Sequence, residues 1–297
     1  MKLTKKLFPA IGMLLLSACM LVTSTFAWFS MNENVTATNM SVTAVGDQVY
    51  LQIVAGDSKA AFQDGANQTT AQASVTSKAL LPVNVVQSRV ETTNAQTSEK
   101  EYLTCVPYGA EKDDVADYAT IMWVTNIGMS NTVGTAKASY SDVTAAATNN
   151  NGKYFIKNTF TIRLDPTAGA EEAGAALNVA AIATNDLPEH INDTTEDFKD
   201  CLNVLVVSKI YTIAEGEGQA DQLSATYGQV WECNDNEFTK KASVSADALS
   251  DGKFQASTYA VVEIYVFFNG DDADCTQAKL AEAKNEGYDV TVTFSVA

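Results

Sequence analysis

Hydrophobic and polar residues alternate with a period of two along much of the chain. The clearest stretch runs from 154 to 164, where Phe155, Lys157, Thr159, Thr161 and Arg163 alternate with Tyr154, Ile156, Phe160 and Ile162. Side chains at i and i+2 share one face of a strand, so this pattern predicts one. Similar runs rich in β-branched and aromatic residues predict strands over 49–54, 80–86, 118–124, 176–183, 202–207, 226–231, 259–268 and 288–296. Asn149-Asn150-Asn151-Gly152 is a turn signal ahead of the clearest strand. From Gly56 to Ser77 the chain is rich in Ala, Gln, Thr, Asp and Gly and reads as a long surface excursion.

The stretch from Trp28 to Ala44 has a more particular pattern. Val35 and Ala37 alternate with polar residues, and Met40, Val42 and Ala44 do so in the opposite phase. A slip of one residue near Asn39 would switch faces, as a β-bulge does. Helical signal is scarce: a polar candidate over Thr276 to Lys284, stopped by Gly287, and a turn or two over Glu196 to Cys201. Many strands, few helices and no detectable repeat predict an all-β chain, an antiparallel two-sheet sandwich with short peripheral helices. No Pro- or Gly/Ser-rich linker divides 28–297, which reads as one elaborated domain, with two subdomains as the alternative.

The first 27 residues have another character. Lys2, Lys5 and Lys6 precede an almost unbroken apolar run from Leu7 to Val22, and small residues follow around Ala27. This is the layout of an apolar export helix, a signal peptide or membrane anchor over 1–27, with signal peptidase as the partner it implies. Three outcomes stay open: cleavage after Ala27, acylation of Cys19 within Leu16-Ser17-Ala18-Cys19, or retention as an anchor. Each delivers the rest of the chain to the cell surface or beyond, and the membrane is met only through this segment.

Charge narrows the function. The formal net charge is −17, and Arg89 and Arg163 are the only arginines, so no basic stripe exists to neutralise a phosphate backbone and nucleic acid is excluded as a partner. The acidity reads as a solvated, self-repelling surface. Without Cys19, the remaining cysteines are Cys105, Cys201, Cys233 and Cys275; three pairings are open to them, as is the fully reduced state. None has C-x-x-C spacing, so zinc-knuckle and thioredoxin-type chemistry are not expected.

Catalytic candidates are few. His190 is the only histidine and lies in a polar stretch with no nucleophile motif beside it. Asp271-Asp272-Ala273-Asp274 crowds carboxylates into one turn but lacks the spacing of a calcium loop, so it reads as a polar turn. Glu215-Gly216-Glu217-Gly218 sets carboxylates where a phosphate loop must be bare. Trp123 and Trp231 lie within predicted strands and read as core rather than as sugar platforms. No catalytic site, cofactor or metal site is predicted.

Three stretches carry a resemblance. Ala27-Trp28-Phe29 after an export segment, followed by Asn34-Val35-Thr36-Ala37 and Met40-Ser41-Val42, resembles the start of TasA/camelysin-type secreted proteins of Gram-positive bacteria (Firmicutes). Thr125-Asn126-Ile127-Gly128 is similar to their strand-then-turn, and 261–268 with 288–296 to their last two strands. The resemblance implies a jelly-roll-like sandwich, export by a dedicated signal peptidase and a structural role as a biofilm matrix or fibre subunit. The protease activity described for camelysin does not carry over, because no metal-ligand or triad pattern stands at a matching position.

The expectation is therefore a secreted or cell-surface structural protein. It would associate with itself or with other surface and matrix proteins by strand addition, using 28–44 as the arm. The same arm can instead pair within its own sheets. A surface adhesin or carbohydrate-binding module is the alternative, and a secreted hydrolase is the least supported.

Overall fold

The computed structural model describes residues 36–45, 51–64, 68–74, 80–93, 100–109, 111–112, 115–127, 139–142, 154–165, 176–185, 198–214, 219–234, 237–250, 252, 254–270, 272, 275 and 287–296. The chain is all-β. In order, the strands are β1 (Thr36–Val45), β2 (Leu51–Ala55), β3 (Thr70–Ser74), β4 (Asn84–Thr93), β5 (Lys100–Pro107), β6 (Glu111–Lys112), β7 (Val115–Ala116) and β8 (Met122–Ile127). They continue with β9 (Ser139–Asp142), β10 (Phe155–Leu164), β11 (Leu177–Asn185), β12 (Leu202–Thr212), β13 (Gln222–Asn234), β14 (Glu237–Lys240), β15 (Thr258–Phe268) and β16 (Gly287–Val296). Helical structure among the described residues is confined to 3-10 turns at Lys59–Ala61, Phe198–Cys201 and Ala242–Val244. The second replaces the helical turn expected over Glu196 to Cys201. The helix expected over Thr276 to Lys284 lies outside the described residues, as does the segment 1–27.

The frame is a curled six-stranded antiparallel sheet in the order β14-β13-β12-β15-β10-β2. Its middle strand β15 is buried along all 11 of its residues. Such a strand must be covered on both faces, and its alternate residues go to different clusters. Val262, Ile264, Val266 and Phe268 join Ile156, Phe160, Ile162, Val204 and Val206 in one core, which meets Val290, Val292 and Phe294 of β16 and Val179 and Ile182 of β11. Tyr265 and Phe267 point the other way, into a second core with Trp123, Phe155, Leu205, Val207 and Val230. Trp123 lies 4.5 Å from Phe155 and meets Phe267 edge-on at 5.1 Å, centroid to centroid.

Three smaller sheets account for the other described strands: β11-β16-β1-β3, β5-β4-β8-β9 and β6-β7. The first faces the inner cluster. The second carries Trp123 onto the outer one, which Val83, just ahead of β4, also joins, so a single pair of sheets does not account for all the described strands. The antiparallel expectation also needs one correction. β1 pairs with β16 in parallel and with β3 antiparallel, which makes its sheet mixed. Parallel partners need a long crossover, and nearly the whole chain lies between these two strands.

Two close contacts seat the outer layer. The isolated bridge between Val83 and Asn269 ties the start of β4 to the end of β15. Tyr108, buried after β5, donates from its hydroxyl to the Tyr118 carbonyl at 2.9 Å and lies against Gly228 of β13.

Candidate functional site

The feature that stands apart from ordinary packing is the slot occupied by β1. Its register with β16 runs from Thr36 opposite Gly287 to Val45 opposite Ser295 and shifts between Ala37 and Asn39. That shift falls where the hydrophobic phase of the sequence changes. Beyond it, Met40, Val42 and Ala44 stand opposite Val290, Val292 and Phe294, which are buried in the inner core. On the other side Asn39 to Thr43 pair with Ser74 to Thr70, where Ala71 and Ala73 pack on the same core. Both edges of β1 are therefore used. Without it, β16 would have β11 on one side and bare amides and carbonyls on the other, and buried backbone groups of that kind must be paired.

The sequence-predicted processing positions Ala27 and Cys19, and the arm from 28 to 35, lie outside the described residues. The described part of the arm, 36–44, is taken up within its own sheet. His190 also lies outside them, as do Asp271 and Asp274. Asp272 sits in a turn, its amide donating to the Asn269 carbonyl at 3.3 Å and its carbonyl accepting from Cys275. Trp123 is core, and Trp231 is half-buried against the inner cluster. Among the described residues no group of three His, Cys, Asp or Glu side chains is placed to hold a metal ion. Cys201, Cys233 and Cys275 are buried in the inner core; the side chain of Cys105 lies outside the described residues.

Sequence reasoning missed a polar cluster on the outer face of the six-stranded sheet. Glu263 of β15 accepts from Lys157 of β10 at 2.8 Å, from Lys209 of β12 at 2.9 Å and from the Tyr265 hydroxyl at 2.8 Å. Burial pushes the Glu263 carboxyl up, but the two ammonium groups and the Tyr265 hydroxyl outweigh it and hold it below the ordinary glutamate range. Burial and the neighbouring carboxylate push the Tyr265 hydroxyl up. A carboxylate saturated by three donors is a poor general base. The only advance signal was Glu263 itself, a charge inside the apolar run 259–268.

A second polar cluster lies toward the other end of this face. Asp221 takes Lys59 at 2.7 Å, the Tyr259 hydroxyl at 2.9 Å and the Ala214 amide at 3.0 Å. The Lys59 hydrogen bond foremost, with the Ala214 amide, holds the Asp221 carboxyl below its ordinary value. Tyr259 stacks on Tyr211 at 5.3 Å with rings 11° apart, but Tyr259 is buried and Lys59 lies over its ring, so the pair offers no open platform for a sugar. A shallow hollow lined by Ile210, Thr212, Ser224, Gln255, Ser257 and Thr258 presents hydroxyls and one amide, none of which titrates near neutral pH. No protein-family model, curated protein or solved structure matches the chain.

Proposed function

We propose that this chain is an exported structural protein of the cell surface or its matrix, and that copies associate by passing β1 from one to the next. The observation that carries the reading is the position of β1. It is the first described strand, lies parallel to the last, and fills a slot between β16 and β3. Residues 46–50 join it to β2, in the other large sheet. A strand held by backbone ladders, and joined through a short connection, is the kind of element that identical chains exchange at little cost, since the same bonds form in either arrangement.

Other features fit this reading. The apolar segment 1–27 supplies an address and, while it remains attached, a tether just ahead of β1. The six-stranded sheet and the β11-β16-β1-β3 sheet share the inner core, as the two halves of a jelly-roll-like sandwich would. The resemblance to TasA/camelysin-type proteins, carried in part by this same N-terminal stretch, belongs to the proposal. Sedimentation of the processed chain over a wide concentration range tests it: concentration-dependent assembly is expected, and a strict monomer throughout would remove the polymer reading.

A further inference from the structure

We propose that the strap after β2, residues 56–64 with Gln68, is the latch that decides whether β1 can leave its slot. This rests on the strand-exchange reading and adds its regulation. β3 is the outer wall of the slot, and β1 is its ladder partner in the sheet order. It begins at Thr70, two residues after Gln68, whose carbonyl accepts from the Ile53 amide at 2.6 Å. Whatever holds the strap therefore holds the wall.

The strap is fixed at both ends and across its middle. Where it leaves β2, the Gly56 amide donates to the Thr159 carbonyl at 2.8 Å and the Gly56 carbonyl accepts from the Thr161 hydroxyl at 2.8 Å. Ser58 then caps the 3-10 turn, and Lys59 reaches Asp221. Further along, Asp64 pairs with Arg163 at 2.7 Å, and the same guanidinium covers the Phe62 ring at 4.5 Å. Gln52 ties the two sides together: its amide nitrogen donates to the Gln63 carbonyl at 2.9 Å, and its amide oxygen accepts from Arg163 at 2.8 Å. Gln68 closes the loop on itself through the Gln63 amide at 3.0 Å and the Ala61 carbonyl at 3.2 Å.

The latch thus consists of two charge pairs on an exposed loop, Lys59 with Asp221 and Asp64 with Arg163. Pairs of this kind are individually weak and are screened by salt, which suits a fastening that must open without unfolding the sheet beneath. With both released, β3 can lift from the edge of its sheet and β1 is held by β16 alone. A second copy can then compete for the slot.

Hydrogen–deuterium exchange on the full chain, as cells process it, tests the latch apart from assembly. In the double variant Lys59→Gln, Asp64→Asn, amides of 70–74 and 39–43 are expected to exchange roughly threefold to tenfold faster, while those of 258–268 keep their protection. Raising the ionic strength of the unaltered chain should give the same local loss, so the answer does not depend on the variant folding well. Unchanged protection at 70–74 and 39–43 under high salt overturns the latch, whether or not β1 exchanges between copies.

Discussion

A Cβ added to Gly228 would lie 2.1 Å from the Tyr108 hydroxyl oxygen and 2.9 Å from two carbons of its ring. The outer layer is therefore seated against bare backbone at that point of β13. Tyr108 is buried and its hydroxyl is held by the Tyr118 carbonyl, so moving the ring aside breaks that hydrogen bond. Gly228→Ala should destabilise the chain by roughly 1–3 kcal/mol through overpacking, read as a lower denaturant midpoint. In a Tyr108→Ala background most of that cost should vanish, because the colliding atoms are gone.

Ser208 has the opposite character. It is fully buried in β12 between Val207 and Lys209, and its hydroxyl finds no hydrogen-bond partner among the described residues. A buried hydroxyl without a partner costs its desolvation. Ser208→Ala should be neutral or stabilise by up to about 1 kcal/mol in equilibrium denaturation.

The Glu263 cluster sets an acid limit. Its carboxyl titrates lower in the folded chain than in the unfolded one, so its contribution is complete above the ordinary glutamate range. That contribution is lost as pH falls through the lower, folded value. Lys209→Met removes one of its two ammonium partners, which raises the folded value toward the ordinary one. The variant should gain less stability at neutral pH, and its acid loss, starting from the same ordinary glutamate range, should be smaller and finish at higher pH, as followed by thermal melts across pH 2–7, a span of roughly the carboxylate range.

The three buried cysteines give a simple test of the inner core. Cys201, Cys233 and Cys275 should resist a thiol-specific maleimide in the folded chain and react together on unfolding. Mass spectrometry of labelled peptides reads each one separately.

Much of this architecture was legible in the residues. Alternation located β10 to within a residue, since Lys157, Thr159 and Arg163 face away from the inner core while Ile156, Phe160 and Ile162 enter it. The phase change near Asn39 located the register shift in β1. β3 was hidden because Thr70 to Ser74, with two alanines and no large apolar residue, has the composition of a loop and becomes a strand only by pairing with β1. β5, Lys100 to Pro107, was missed for a related reason: charged residues at its start and Pro107 at its end mask a short edge strand. The parallel pairing of β1 with β16 could not be read locally, because a ladder between distant segments is set by the whole fold. The arm was visible in the sequence; its slot was not.

Cross-linking between two chains tests strand exchange most directly. Thr43 stands opposite Thr293 in the β1–β16 register. One preparation carries only Thr43→Cys and the other only Thr293→Cys; they are mixed, incubated and joined by oxidation or a short bismaleimide. Exchange predicts a 43–293 linked peptide between the two chains, increasing with time and concentration. A linked peptide from the double variant within one chain, with none between chains in the mixture, would contradict it.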